Sequence, residues 1–119
     1  EVVRVRGLED LGDLGRFPRL RCLSVEDQIK VKELRLSNPA LECLILRNCK
    51  TLERLAGIAA LPQLGKLAVY LTQLDIDALL AAGMPPALKQ LSFSTGQKKR
   101  DDMIRARLAQ LGYAEARFY

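Results

Sequence analysis

The stretch LECLILRNCKTLERL, residues 41–55, contains the spacing of apolar side chains that decides the fold of this chain. Its first leucines are Leu41, Leu44 and Leu46. Counted from Leu41 as offset 0 of a unit, they stand at offsets 0, 3 and 5. Offsets 3 and 5 share one face of a β-strand because side chains alternate with period two. The residues at offsets 2, 4 and 6 then point to the opposite face.

The same spacing recurs through most of the chain. A proline precedes the first leucine of each unit by two residues, and these leucines are 21, 23 and 24 residues apart: Leu20, Leu41, Leu64 and Leu88. A fifth unit fits upstream, with Val3 and Val5 at offsets 3 and 5. A period of this length predicts a repeat architecture of about five units, each supplying one strand.

The segments between the strands must return the chain to the start of a parallel neighbour. One of them has apolar residues at three-residue spacing, which suits a short helix or 3₁₀ turn: Leu52, Leu55, Ile58 and Leu61. In the next unit, Thr72 and Asp75 have the spacing of a helix start, and Gly83 can end the helix. We therefore predict a helix over residues 75–82.

With Cys49 at the position of an asparagine or cysteine ladder, residues 41–55 resemble a leucine-rich repeat, and the resemblance covers about residues 2–95. The irregular unit length is similar to that of plant nucleotide-binding immune receptors and of bacterial leucine-rich-repeat proteins. The resemblance implies an α/β solenoid with parallel strands on a concave face and short helical or 3₁₀ return segments.

The period ends after Thr95. Ile104, Leu108 and Leu111 stand at i, i+4 and i+7, which predicts an amphipathic helix over residues 98–111, and residues 114–119 suggest a last strand. We therefore divide the chain into leucine-rich repeats at 1–97 and a C-terminal helix-strand cap at 98–119. Such a cap shields the core where repeats stop.

The N-terminal strand, predicted at Val2–Arg6, has no such cap. An exposed parallel edge presents unpaired backbone groups, so we expect it to pair with upstream sequence or with another chain. No signal peptide is recognisable, and the longest apolar runs fall well short of the roughly 20 residues that a membrane-spanning helix needs. No membrane association is therefore expected.

The cysteines bear on compartment and on metal binding. Three of them, an odd number, favour reduced thiols and a cytoplasmic location. Cys22 and Cys43 share one offset and should lie side by side, where a disulfide or half of a metal site is conceivable, but two free thiols are the preferred interpretation. Cys49 is expected in the core. Zinc usually needs four ligands, so no metal site is predicted.

Catalysis is not expected, and neither is a cofactor. The chain has no histidine, so it lacks the usual proton shuttle at neutral pH and the usual partner of a serine or cysteine nucleophile. Carboxylates occur in pairs: Glu26 with Asp27, Asp75 with Asp77, and Asp101 with Asp102. The first pair lies at a strand edge. The other two lie at helix starts, where acidic side chains offset the helix dipole, so their positions are explained without catalysis.

The predicted function is protein–protein interaction through the concave face, in immune-type recognition, toxin immunity or assembly of a larger complex, which the residues do not separate. Rigid backbone lowers the entropy lost on binding, and Tyr70 beside Arg47 is a pairing typical of interface hot spots. The predicted contact residues occupy offsets 2, 4 and 6: Arg4, Arg6, Ser24, Glu26, Ile45, Arg47, Lys66, Tyr70, Gln90, Ser92 and Ser94.

Nucleic-acid binding is the disfavoured alternative. The net charge is +5, and Lys98, Lys99 and Arg100 precede a helix that carries Arg105 and Arg107. However, aromatic residues make up 5% of the chain, and no stacking motif is interleaved with the charges.

Overall fold

The computed structural model describes residues 2–6, 19–27, 32–36 and 38–116, with the backbone alone for residues 2–6. Within these ranges the chain forms seven β-strands and two α-helices. In chain order they are β1 (Val2–Arg6), β2 (Cys22–Glu26), β3 (Glu33–Arg35), β4 (Cys43–Arg47), β5 (Arg54–Ala56), β6 (Lys66–Tyr70), α1 (Ile76–Ala82), β7 (Gln90–Ser94) and α2 (Lys98–Gln110).

The main sheet is parallel throughout its described part, with the order β1-β2-β4-β6-β7. Its register confirms the offsets derived from the sequence. The residues at offset 3 are aligned from strand to strand: Val3, Leu23, Leu44, Leu67 and Leu91. Each unit therefore contributes one strand to a mixed α/β fold, in the same phase as its neighbour.

One face of this sheet covers the hydrophobic core. The leucines at offset 0 and the apolar residues at offsets 3 and 5 are buried there in one cluster: Leu20, Leu23, Val25, Leu41, Leu44, Leu46, Leu64, Leu67, Val69, Leu88, Leu91 and Phe93. Because successive side chains alternate between faces, this burial turns offsets 2, 4 and 6 to the other side. We call that side the outer sheet face.

The backbone turns in the same way after three consecutive strands of the sheet. Asp27, Asn48 and Leu71 all adopt left-handed backbone angles, with φ of 57°, 54° and 57°. The N–H of each donates to the last residue of the neighbouring strand: Asp27 to Arg47, Asn48 to Tyr70 and Leu71 to Ser94. The units thus repeat in backbone geometry as well as in apolar spacing.

A second, two-stranded parallel sheet joins β3 to β5 and lies in the return segments. The sequence predicted a short helix or 3₁₀ turn through Leu55, but Leu55 lies in β5 and pairs with Leu34. The 3₁₀ turn begins three residues later, at Ile58–Ala60. Gly57 joins the two elements with φ of 82°, and a side chain there would overlap the carbonyl oxygen of Leu36.

Helix α1 confirms the helix predicted at residues 75–82, but its cap differs from the prediction. Asp75 is the N-cap and accepts a hydrogen bond from the Asp77 N–H at 3.0 Å. Thr72, predicted at the helix start, instead accepts from the Leu74 N–H in the preceding turn. Gly83 ends the helix with φ of 101°.

Helix α2 buries Ile104 and Leu108, as predicted, and closes the described core beyond β7. The third residue of the predicted apolar stripe, Leu111, is 54% exposed because the helix ends at Gln110 and Leu111 already belongs to the turn. The tail then forms a single parallel bridge between Gln90 and Ala114. Of the predicted last strand, residues 117–119 lie outside the described residues.

Candidate functional site

The parallel register places the predicted contact residues in rows across the outer sheet face. Ser24, Ile45, Ala68 and Ser92 are successive partners, as are Glu26, Arg47, Tyr70 and Ser94, and Cys43, Lys66 and Gln90. Arg4 and Arg6 extend two of these rows through their backbone pairing with Ser24 and Glu26. The juxtaposition predicted from the sequence is therefore present.

The rows differ in how much surface they expose. Ser24 is 8% exposed and Ala68 is fully buried, because both side chains are short and have neighbours on every side of the strand surface. Ile45 and Ser92 are partly exposed, whereas Arg47 is exposed. The exposed surface of this face is therefore formed mainly by the longer side chains around these small residues.

The most prominent pair on this face is Arg47 with Tyr70. The guanidinium carbon of Arg47 lies 5.6 Å from the centre of the Tyr70 ring, within the range of a cation–π interaction. Among the described residues, no ion pair involves Arg47. Its charge is therefore exposed to solvent, and its position is restrained by the ring below it.

Ser92 and Ser94, also predicted contacts, hold the C-terminal cap in place. The Ser92 hydroxyl accepts a hydrogen bond from the Ala116 N–H at 2.9 Å, which joins the tail to β7. The Ser94 hydroxyl donates to Asp101 of α2 at 2.9 Å. Both hydroxyls therefore have an intramolecular role that the spacing of the strands did not predict.

An open cleft lies between the edge of β7 and the cap, with a volume of about 560 Å³. Tyr70, Ser92 and Ser94 line it from the outer sheet face, and Arg105, Tyr113 and Glu115 line it from the cap. Arg105 is paired with Glu115 at 3.2 Å across this lining. Sequence reasoning named Arg105 only for nucleic-acid binding and missed Tyr113 and Glu115, because a single β-bridge has no alternating apolar pattern that would reveal it.

The pairing of Cys22 and Cys43 is a correction to the sequence analysis. They lie side by side as predicted, but they form a disulfide rather than two free thiols. The register makes them direct Cα partners 4.7 Å apart, which is within the range that a disulfide spans. The cytoplasmic prediction thereby loses the observation on which it depended. Cys49, as predicted, is a buried thiol, and its Sγ lies 3.5 Å from the carbonyl oxygen of Val25.

Each of the three carboxylate pairs has a structural partner. Asp27 accepts from the Asn48 amide at 2.8 Å, Asp75 caps α1, and Asp77 is paired with Arg107. Asp101 accepts four hydrogen bonds, from the Thr95 N–H and hydroxyl, the Ser94 hydroxyl and the Gly96 N–H. Burial alone would raise the pKa of Asp101, but these bonds outweigh it and lower the pKa below its ordinary value.

The basic residues near α2 form two groups. Arg105 pairs with Asp102 and Glu115, and Arg107 with Asp77, so these charges are already compensated. Lys98, Lys99 and Arg100 are exposed at the start of the helix, and no ion pair within the described part of the chain involves them. Cations at a helix N-terminus oppose the helix dipole, so this position does not stabilise α2.

Leu71 is a surface feature that the sequence analysis missed. It is 46% exposed and has φ of 57°, a conformation that costs a residue with a side chain about 1–2 kcal/mol. The equivalent positions carry Asp27 and Asn48, residue types that tolerate this conformation better. Asp27 and Asn48, which stand at the same place in two units, could have indicated from the sequence that each strand is followed by a left-handed turn.

No family model, curated protein or solved structure matches the chain. Among the described helices, none is long and apolar enough to cross a membrane. The described residues also contain no cluster of three or more histidine, cysteine or acidic side chains that could hold a metal ion.

Proposed function

We propose that this chain is a leucine-rich-repeat solenoid with a C-terminal cap, and that it binds a protein partner without catalysing a reaction. The outer sheet face would be the concave side of the solenoid. Immune-type recognition, toxin immunity and assembly of a larger complex are settings that fit such a module.

The observation that carries this proposal is the alignment of the outer sheet face. The same register that stacks Leu44 on Leu67 in the core sets Arg47 beside Tyr70 on the opposite side. A buried leucine row restrains the backbone beneath the exposed row, so little conformational entropy is lost when a partner binds. Tyrosine and arginine are also enriched among the residues that dominate binding energy at interfaces.

The test is affinity capture from native lysate with the wild-type chain, Arg47→Glu and Tyr70→Ala. We expect each variant to lose a partner that the wild type retains, since truncating a hot spot typically weakens binding by about 2 kcal/mol or more. Lys50→Glu is the matched control, because Lys50 is an exposed cation outside the rows of the outer sheet face, and no ion pair within the described residues involves it. Circular dichroism should give the same spectrum for all four proteins. A partner retained equally by every variant would contradict binding through this face.

The second candidate function is binding of nucleic acid or another polyanion by the basic start of α2. It is favoured by the three adjacent cations at 98–100, but the ion pairs of Arg105 and Arg107 shorten the cationic stripe. If this candidate is right, binding of an arbitrary oligonucleotide should weaken steeply as salt rises. Absence of binding at low salt would eliminate it.

A further inference from the structure

We propose that the Cys22–Cys43 disulfide exchanges reversibly with low-molecular-weight thiols such as glutathione, and that the sulfur of Cys22 is the atom they attack. Both cysteines occupy offset 2 of their units, so the bond lies on the outer sheet face. The exchange therefore makes Cys22 a modification site on that face. This inference does not depend on the proposed function, because the exchange is measured on the isolated chain.

The first step of the argument is the unequal exposure of the two cysteines. Cys22 is partly exposed, whereas Cys43 is buried, with 8% of its surface exposed. Thiol–disulfide exchange requires contact between the incoming thiolate and the sulfur that it attacks, so its rate depends on access to that sulfur. A thiol from solution therefore reaches the sulfur of Cys22 more readily than that of Cys43.

The second step is the environment of the sulfur that must leave. In the register of the main sheet, Cys43 has Cys22 on one side and Lys66 of β6 on the other. Their common offset places all three side chains on the outer sheet face. A cation beside a sulfur atom favours the thiolate, and a sulfur that is more stable as a thiolate leaves faster. Lys66 thus favours release of Cys43, which is the outcome of attack at Cys22.

The exchange has two chemical steps. The first thiolate forms a bond to Cys22 Sγ while the Cys22–Cys43 bond breaks, and the electron pair of that bond leaves on Cys43 Sγ. A second thiolate then attacks the small-molecule sulfur of the mixed disulfide and releases Cys22. One protein disulfide and two small thiols thereby become two cysteine thiols and one small-molecule disulfide, and the two thiol protons end on the cysteines.

The third cysteine does not compete for the released sulfur. Cys49 is 1% exposed and belongs to the hydrophobic core cluster, whereas Cys43 lies on the outer sheet face. The sulfur of Cys49 also lies 3.5 Å from the carbonyl oxygen of Val25. While the chain stays folded, reoxidation therefore restores the Cys22–Cys43 bond, which makes the exchange reversible.

The experiment incubates the wild-type chain with reduced glutathione, traps free thiols with N-ethylmaleimide at successive times, and analyses tryptic peptides by mass spectrometry. Cleavage after Arg21, Arg35 and Arg47 places each cysteine in a separate peptide. We expect glutathione on Cys22 and maleimide on Cys43, in about tenfold excess or more over the reverse labelling. Equal labelling, an excess of glutathione on Cys43, or no glutathione adduct would each overturn the proposal.

A charge variant tests the part assigned to Lys66. Lys66→Gln should slow the first step roughly threefold, because the leaving sulfur loses its neighbouring cation. Lys50→Gln is the matched control, since it removes the same charge from an exposed lysine outside the rows of the outer sheet face. It should leave the rate unchanged. Equal rates for wild type and Lys66→Gln, or equal slowing by both substitutions, would overturn the role of Lys66.

Urea distinguishes exchange in the folded chain from exchange after unfolding. At concentrations below the unfolding transition, urea should leave the rate of glutathione addition unchanged, and the buried Cys49 should carry neither label. Acceleration by urea together with labelling of Cys49 would show that glutathione reacts only with unfolded molecules. That result would overturn Cys22 as a site on the outer sheet face.

Discussion

At the scale of single residues, Asp101 connects the last strand of the sheet to the cap helix. Its carboxylate accepts hydrogen bonds from three consecutive residues, Ser94 at the end of β7 and Thr95 and Gly96 in the turn before α2. Hydrogen bonds to a charged group contribute more than neutral ones, and a donor left without its acceptor carries a desolvation cost. Asp101 thus holds the turn in the geometry from which α2 starts.

We expect Asp101→Asn to lower the free energy of unfolding by about 1–3 kcal/mol, because the amide replaces one acceptor oxygen with a donor facing other donors. Urea denaturation measures the change. Asp102→Asn is the control, since Asp102 has one weak pairing with Arg105 at 3.6 Å and is exposed. Equal effects of the two substitutions would show that the hydrogen bonds of Asp101 do not stabilise the turn.

The same carboxylate predicts a dependence of stability on pH. The folded pKa of Asp101 is lowered from the ordinary value of 3.8, so its contribution is present above that value and is lost as pH falls through the folded pKa. Wild type and Asp101→Asn should therefore differ in stability at neutral pH and converge in acid. A constant difference between pH 7 and pH 2 would contradict this assignment.

The limits of sequence reasoning also appear at single residues. The side-by-side placement of Cys22 and Cys43 followed from their common offset, but the state of the sulfur atoms did not, because a register sets distance and not oxidation. Leu111 was assigned to the core from its spacing and is exposed, because helix α2 ends one residue earlier. The spacing of apolar residues predicts which face of a helix or strand is buried, but it does not predict the residue at which that element ends.

At the scale of elements, the strands were predictable and the return segments were not. Each strand of the main sheet carries apolar residues at offsets 3 and 5, and a one-residue slip would turn them out of the core. The return segments are short and apolar at several spacings, so residues 52–61 suit a turn and a strand equally well. The pairing of β3 with β5 decides between them, and that pairing joins residues 21 positions apart. A pattern read within one short segment therefore cannot predict this pairing.

The period-two alternation predicts unequal effects of one substitution at two adjacent positions of β4. Leu44→Asp should cost several kcal/mol, a large part of a typical total stability of about 5–15, because it leaves an unpaired charge in the core. Leu44 has no exposed surface, whereas Ile45 lies on the outer sheet face. Ile45→Asp should cost about 1 kcal/mol. Circular dichroism during urea denaturation measures both, and a larger loss for Ile45→Asp would refute the assigned faces.

At the scale of the whole molecule, the candidate site depends on how adjacent units are held together. The register of the main sheet joins them through backbone hydrogen bonds and the shared core, and the Cys22–Cys43 disulfide adds a covalent link between the β2 and β4 units. Arg107 of α2 pairs with Asp77 of α1 and so links the cap to the β6 unit. The alignment of the predicted contact residues on the outer sheet face was predictable, because the same repeated offsets also align the buried leucines. The disulfide and the Arg107–Asp77 pair were not predictable in this way, because each joins residues from two different units.

Reduction of this disulfide tests how far the units depend on it. The bond closes a segment with a sequence separation of 21 residues, and closing a loop of this size stabilises a protein by about 3 kcal/mol. For a chain of this size, reductant should lower the melting temperature by roughly 10 °C. The double substitution Cys22→Ser and Cys43→Ser should melt at the lower temperature with or without reductant, because the buried thiol of Cys49 takes no part. A reductant-dependent shift that persists in the double variant would assign the effect to another thiol. Equal melting temperatures for oxidised wild type and the double variant would mean that the sheet register alone holds these units together.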